Sequence, residues 1–155
     1  MAKKIQLIGR QDKINLPDFG LVEIDAKIDT GAYTSSINCS RVKVKTVNGV
    51  KELSFYLSGN RIHETRSRKF TTTDFRKKKI RSSNGQTEER FVIKTRMVVF
   101  GKKLKVEFSL ANRSKMKFPV LIGRKFLTDR FIVDVSKKNL SYLAKSKNED
   151  RSSIT

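Results

Sequence analysis

Lys27-Ile28-Asp29-Thr30-Gly31-Ala32 ends an alternating run and governs how the residues around it are read. Val22, Ile24, Ala26 and Ile28 fall on one face, and Glu23, Asp25 and Lys27 on the other. That period of two predicts a half-buried strand over Leu21–Ile28 that carries Asp29 to its end. Thr30 can hydrogen-bond locally, and Gly31 admits backbone angles or close approaches closed to other residues. A carboxylate at such a turn is held by backbone donors instead of swinging on a loose loop. The same residues would also serve an ordinary strand-to-turn transition, where Asp and Gly are common. A second stretch weighs against that plainer reading. Val120-Leu121-Ile122-Gly123-Arg124-Lys125-Phe126-Leu127 is a short apolar run, a glycine and a one-turn helix signal.

Working outward, Ile5, Leu7 and Ile8 predict a first strand ended by Gly9-Arg10, and Asn15-Leu16-Pro17-Asp18 predicts a turn. Val42, Val44 and Val47, then Asn48-Gly49, then Leu53, Phe55 and Leu57 predict a hairpin. Asn-Gly suits the positive backbone angles of a tight two-residue turn. Residues 58–79 are polar, basic and nearly aperiodic, which predicts a long loop or insertion with an irregular strand around 69–75. Phe91, Ile93, Thr95, Met97 and Val99 alternate, as do Leu104, Val106, Phe108 and Leu110 after a turn at Phe100-Gly101-Lys102-Lys103. Beyond Pro119 the pattern predicts a buried run, a short helix, a strand over 131–135 and a last strand near 140–143. No internal repeat and no long amphipathic helix is visible. The fold class is therefore all-β, a small closed barrel with one short C-terminal helix. It forms one domain over residues 1–144, and the polar tail 145–155 is read as disordered.

The chain has 155 residues, an apolar fraction of 37% and a single cysteine, Cys39. Cys39 has no partner for an intramolecular disulfide and reads as a small core residue. Met1-Ala2-Lys3-Lys4 leads into no apolar segment, no run approaches a membrane span, and a reducing cytoplasm is the expected home. The formal charge of +20 is unevenly spread. Residues 1–40 are neutral, 41–103 carry +13 and 104–155 carry +7, with a peak at Arg76-Lys77-Lys78-Lys79-Ile80-Arg81. A field of that sign concentrates polyanions, whether acidic peptide, nucleic acid or a ribosome surface. A plain solvated basic surface is the alternative.

Asp29-Thr30-Gly31-Ala32, Arg81-Ser82-Ser83-Asn84-Gly85, Glu89-Arg90 with Val92-Ile93, Asn112-Arg113, Leu121-Ile122-Gly123-Arg124 and Phe131-Ile132-Val133-Asp134 follow one another in this order. The series resembles the bacterial retropepsin-like aspartic peptidase family found beside RimK-type glutamate ligases, which bears the older name ATP-dependent zinc protease. The likeness runs from about Ile8 to Asp134. One departure is Tyr33, where the family's pattern has Arg; it bears on local substrate contacts.

The resemblance implies a retropepsin-like barrel and an aspartic-type endopeptidase with Asp29 as catalytic residue and Thr30, Gly31 and Ala32 supporting its loop. It also implies a substrate-covering flap at Ser82, Ser83, Asn84 and Gly85, a position that would equally suit a plain hairpin turn. Such hydrolysis needs two carboxylates about one water molecule, and two like charges so close share a proton. One Asp-Thr-Gly per chain supplies half of that pair, so a homodimer with paired Asp29 is expected. Asp134 is the rival within one chain, but it lacks the Thr-Gly turn and reads as structural. One His (His63) and one Cys are too few for an ordinary zinc site, and no phosphate-binding Gly-x-x-x-x-Gly-Lys run is present. No cofactor and no metal is expected. The family's association with glutamate ligases implies processing of glutamate-rich tails, and Arg90, Arg113 and the 76–81 cluster could bind carboxylates. Two alternatives stand beside it: a general endopeptidase acting on exposed segments, for which the basic surface is irrelevant, and a non-enzymatic basic domain binding RNA or ribosomes. Against the second, no aromatics interleave the 76–81 run.

Overall fold

A computed structural model describes residues 4–58, 67–81, 85–112 and 117–145. The strands are β1 (Gln6–Gly9), β2 (Gln11–Leu16), β3 (Leu21–Ile28), β4 (Ser35–Val47), β5 (Val50–Ser58), β6 (Ser67–Thr72), β7 (Phe75–Arg81), β8 (Thr87–Val99), β9 (Lys102–Ala111), β10 (Val120–Ile122) and β11 (Phe131–Asp134). A single-turn helix, α1 (Arg124–Leu127), follows β10, and residues 140–145 are also helical. The strands run β10-β3-β2-β8-β9-β4, and β10 pairs with β4 as well as β3, so six strands close into a barrel. Closure leaves the six ring strands without a free edge. β5 and β6 extend the barrel from β4, β7 extends it from β8, and β1 pairs β11 in a separate parallel ribbon. No helix among the described residues is long and apolar enough to cross a membrane.

The period-two residues fill this barrel. Ile14, Leu16, Ile24, Ala26, Met97, Val106, Phe108, Val120 and Ile122 are all buried in one cluster. Cys39 lies in it too, and burial pushes its thiol up to about 11, far from a nucleophile's range. The Asn48-Gly49 hairpin is present, with φ of 50° and 80°. Phe100-Gly101 makes an equivalent two-residue turn at 50° and 69°, joining Val99 to Lys102.

Three local expectations are corrected. Val22 is 54% exposed while Leu21 is buried. Between the pairs Ile14↔Ile24 and Leu16↔Leu21 the register slips, Glu23 takes φ 54°, and its N–H donates to Asn15 Oδ1 at 2.8 Å. This bulge rotates the first turn of β3 and shifts its alternation by one. The described part of the 58–79 stretch is mainly strand instead of the expected loop, since β6 pairs with β5 from Leu53↔Thr72 to Ser58↔Ser67 and β7 pairs with β8 along its length. Only Phe70, Phe75 and Ile80 are apolar in these strands, so composition hid them; residues 59–66 lie outside the described residues. The final segment is helical, not a strand. The buried Asp12 carboxylate accepts the N–H groups of Ser141 (2.8 Å) and Tyr142 (3.2 Å), which caps the first helical turn from across the fold.

Candidate active site

β3 ends at Ile28 beside Ile122 of β10, and the two run parallel. Asp29 N–H donates to Ile122 O at 2.8 Å, and Ala32 N–H returns to Asp29 O at 3.2 Å. The Asp29 carboxylate accepts Gly31 N–H at 3.1 Å, so a backbone donor fixes its direction while the side chain stays partly exposed. Gly31 keeps a negative φ; a β-carbon there would meet Asp29 Oδ1 at 3.3 Å, so its role is close approach.

The downstream stretch locks this loop. β10 lies between β3 and β4, parallel to one and antiparallel to the other. The loop from Asp29 to Tyr33 crosses over Gly123 so closely that a β-carbon at 123 would stand 2.6 Å from Tyr33 O. Arg124 N–H donates to Ala32 O at 2.8 Å, Lys125 N–H to Tyr33 O at 2.9 Å, and Gly123 N–H to the Ser35 hydroxyl at 3.0 Å. The Arg124 guanidinium reaches Thr30 O at 2.9 Å. Thr30 and Ala32 therefore act through their carbonyls as anchors. The two stretches quoted first from the sequence form one interlocked unit.

Tyr33 is 55% exposed, and Arg124 and Lys78 each stand 5.8 Å from its ring centroid. Positive charge thus reaches position 33 from neighbouring elements. β7 and β8 pair as far as Arg81↔Thr87. Gly85, two residues before Thr87, has φ 84°; Ser82, Ser83 and Asn84 lie outside the described residues, as do Arg113 and His63. Arg90 lies opposite Lys78, its side chain only 10% exposed and paired with Glu88 at 3.2 Å. Asp134 binds its own turn through Ser136 N–H (2.9 Å) and Oγ–H (2.6 Å), which hold its carboxyl below the usual range.

One cluster beside the loop escaped the sequence reading. Glu107 on β9, its side chain 7% exposed, pairs with Arg76 (2.6 Å), Lys125 (3.2 Å) and Lys78 (3.4 Å). Burial alone would raise its pKa. Hydrogen bonds from Arg76 and Lys125 and the charges of Lys125 and Lys78 overcome that and hold it at about 2. The available signal was that Glu107 is the sole acid between Glu89 and Asp129. Among the described residues no three His, Cys, Asp or Glu side chains converge as metal ligands, so they do not fit the zinc of the older family name.

A family model described as RimB-like, retropepsin-like aspartic endopeptidase RimB, matches residues 7–143. Similar proteins include a probable alpha-L-glutamate ligase of Desulfotalea psychrophila, 34% identical over 134 residues, and one of Shewanella pealeana, 30% identical over 130. The aligned regions cover 86% and 84% of this chain and 28% of each relative. A crystal structure of a Legionella pneumophila protein of unknown function superposes with a TM-score of 0.72 at 22% identity, over 89% of this chain and 99% of that one. That likeness concerns the fold. With its two interlocked stretches inside the matched span, the chain belongs to the RimB-like family of retropepsin-like aspartic endopeptidases.

Proposed function

We propose that this protein is an aspartic-type peptidase whose water-activating pair is assembled from Asp29 of two copies. The observation that carries the reading is Asp29 itself: a carboxylate aimed by Gly31 N–H, open to solvent, on a loop locked by Gly123 and Arg124. Across a two-fold axis the same residue appears twice, and two adjacent carboxylates share one proton. One then takes a proton from water while the other donates to the carbonyl oxygen. The candidate flap, Ser82, Ser83, Asn84 and Gly85, would cover the bound segment and exclude solvent.

The substrate proposed is an acidic peptide or a glutamate-rich tail. The charge of +20 supports it, as do the relatives named as probable glutamate ligases. The test is cleavage of glutamate-tailed and neutral peptides by wild type and by Asp29→Asn. General acid–base chemistry of this kind contributes about 10²–10⁴-fold, so the substitution should remove measurable turnover with the fold intact. Retained cleavage would sink the assignment.

A second reading, RNA or ribosome binding without catalysis, is favoured by a different surface. Arg41 stands 5.3 Å over the Tyr56 ring, beside Lys43, Lys45 and Lys69. It predicts salt-sensitive binding of RNA, indifferent to Asp29→Asn.

A further inference from the structure

We infer that the cleft bounded by Arg76, Lys94, Lys105, Lys125 and Arg130 is a carboxylate-binding subsite for an acidic polypeptide lying beyond the Asp29 loop. The peptidase reading enters only as the direction from which the ligand arrives. The cleft encloses about 470 Å³, and Glu107 is its one acidic lining residue. Burying a carboxylate demands compensation, and Glu107 obtains it from β7 and α1 at once. The floor of the cleft is thereby clamped without cancelling its charge. Arg76 remains 55% exposed, its guanidinium available for a forked contact with an incoming carboxylate. Lys94, directly opposite Glu107, and Lys105 are exposed and have no carboxylate partner among the described residues. They form a rim of uncompensated ammonium groups.

The cleft shares residues with the elements that hold the Asp29 loop. Ser35 and Lys125 line it, and the same two residues hold Gly123 N–H and Tyr33 O. Lys78, which stands over the Tyr33 ring at the end of the Asp29 loop, also reaches Glu107 in the lining of the cleft. A peptide fits better than a nucleic acid. The aromatic residue in the lining, Phe126, already has Arg130 5.0 Å from its ring centroid and Phe131 stacked at 5.8 Å, so no open ring face awaits a base.

The test uses the full chain carrying Asp29→Asn, so that the probe stays intact, and a fluorescein-labelled decaglutamate peptide read by anisotropy at low salt. Adding Lys94→Gln/Lys105→Gln should weaken binding at least fivefold. Adding Lys43→Gln/Lys45→Gln, the same loss of charge on the β4–β5 hairpin, should change it less than twofold. Equal weakening by both pairs, no weakening by the first, or no binding at all overturns the subsite. An oligouridylate of equal charge binding as tightly as the peptide overturns the acidic-polypeptide assignment. Binding is read without cleavage, so a peptidase assay that fails with intact Asp29 is a separate result.

Discussion

A β-carbon on residue 123 has nowhere to go: Tyr33 O would lie at 2.6 Å and Ala32 O at 2.9 Å, both backbone atoms. Gly123→Ala must therefore open the crossing, at a cost of about 1–3 kcal/mol, read as a lowered urea midpoint, and with loss of any Asp29-dependent turnover. Glu107 makes a different prediction. Its folded pKa, about 2, lies below the ordinary 4.5, so the unfolded chain takes up the proton first as acid is added. Its contribution is present above about pH 4.5 and disappears as pH falls towards 2. Glu107→Gln should lower the melting temperature at pH 7 and converge with wild type near pH 2. The contact between Asp29 and Gly31 was legible because it is made across two positions, whereas the backbone that crowds Gly123 lies ninety positions upstream and no local pattern announces it. Glu107 was not legible either, because its partners Arg76 and Lys78 lie 31 and 29 positions away.

Elements whose faces differ in polarity were readable, and those without that contrast were not. β8 and β9 alternate because one face meets the core. β6 and β7 are held mainly by their ladders to β5 and β8, with Lys, Arg and Thr on both faces, so no period marks them. Helix 140–145 was misread because its stabiliser is Asp12 in β2. That carboxyl is raised by burial, against three backbone N–H groups from Ser141, Lys13 and Tyr142. Asp12→Ala should leave those donors unsatisfied, cost about 1–3 kcal/mol, and speed amide exchange at Ser141 and Tyr142 before the barrel opens. Exchange rates unchanged there would refute the latch.

At the scale of the whole molecule, the six-stranded ring follows from pairings that no local pattern displays, above all β10 inserted between β3 and β4. Pairing between copies is testable by poisoning. If each active unit needs two Asp29, an equal mixture of wild type and the Asp29→Asn protein, allowed to exchange subunits, should show about a quarter of wild-type activity per total chain. A value near half would mean that single chains suffice. Acidic substrates should also lose kcat/KM as salt rises, while neutral ones hold theirs. The crossing of the 29–33 loop over Gly123 carries a consequence in time. The segment that locks the Asp29 loop is synthesised some ninety residues after it, so a growing chain on the ribosome carries that loop without its clamp. Ordering of the loop waits for the last quarter of the polypeptide.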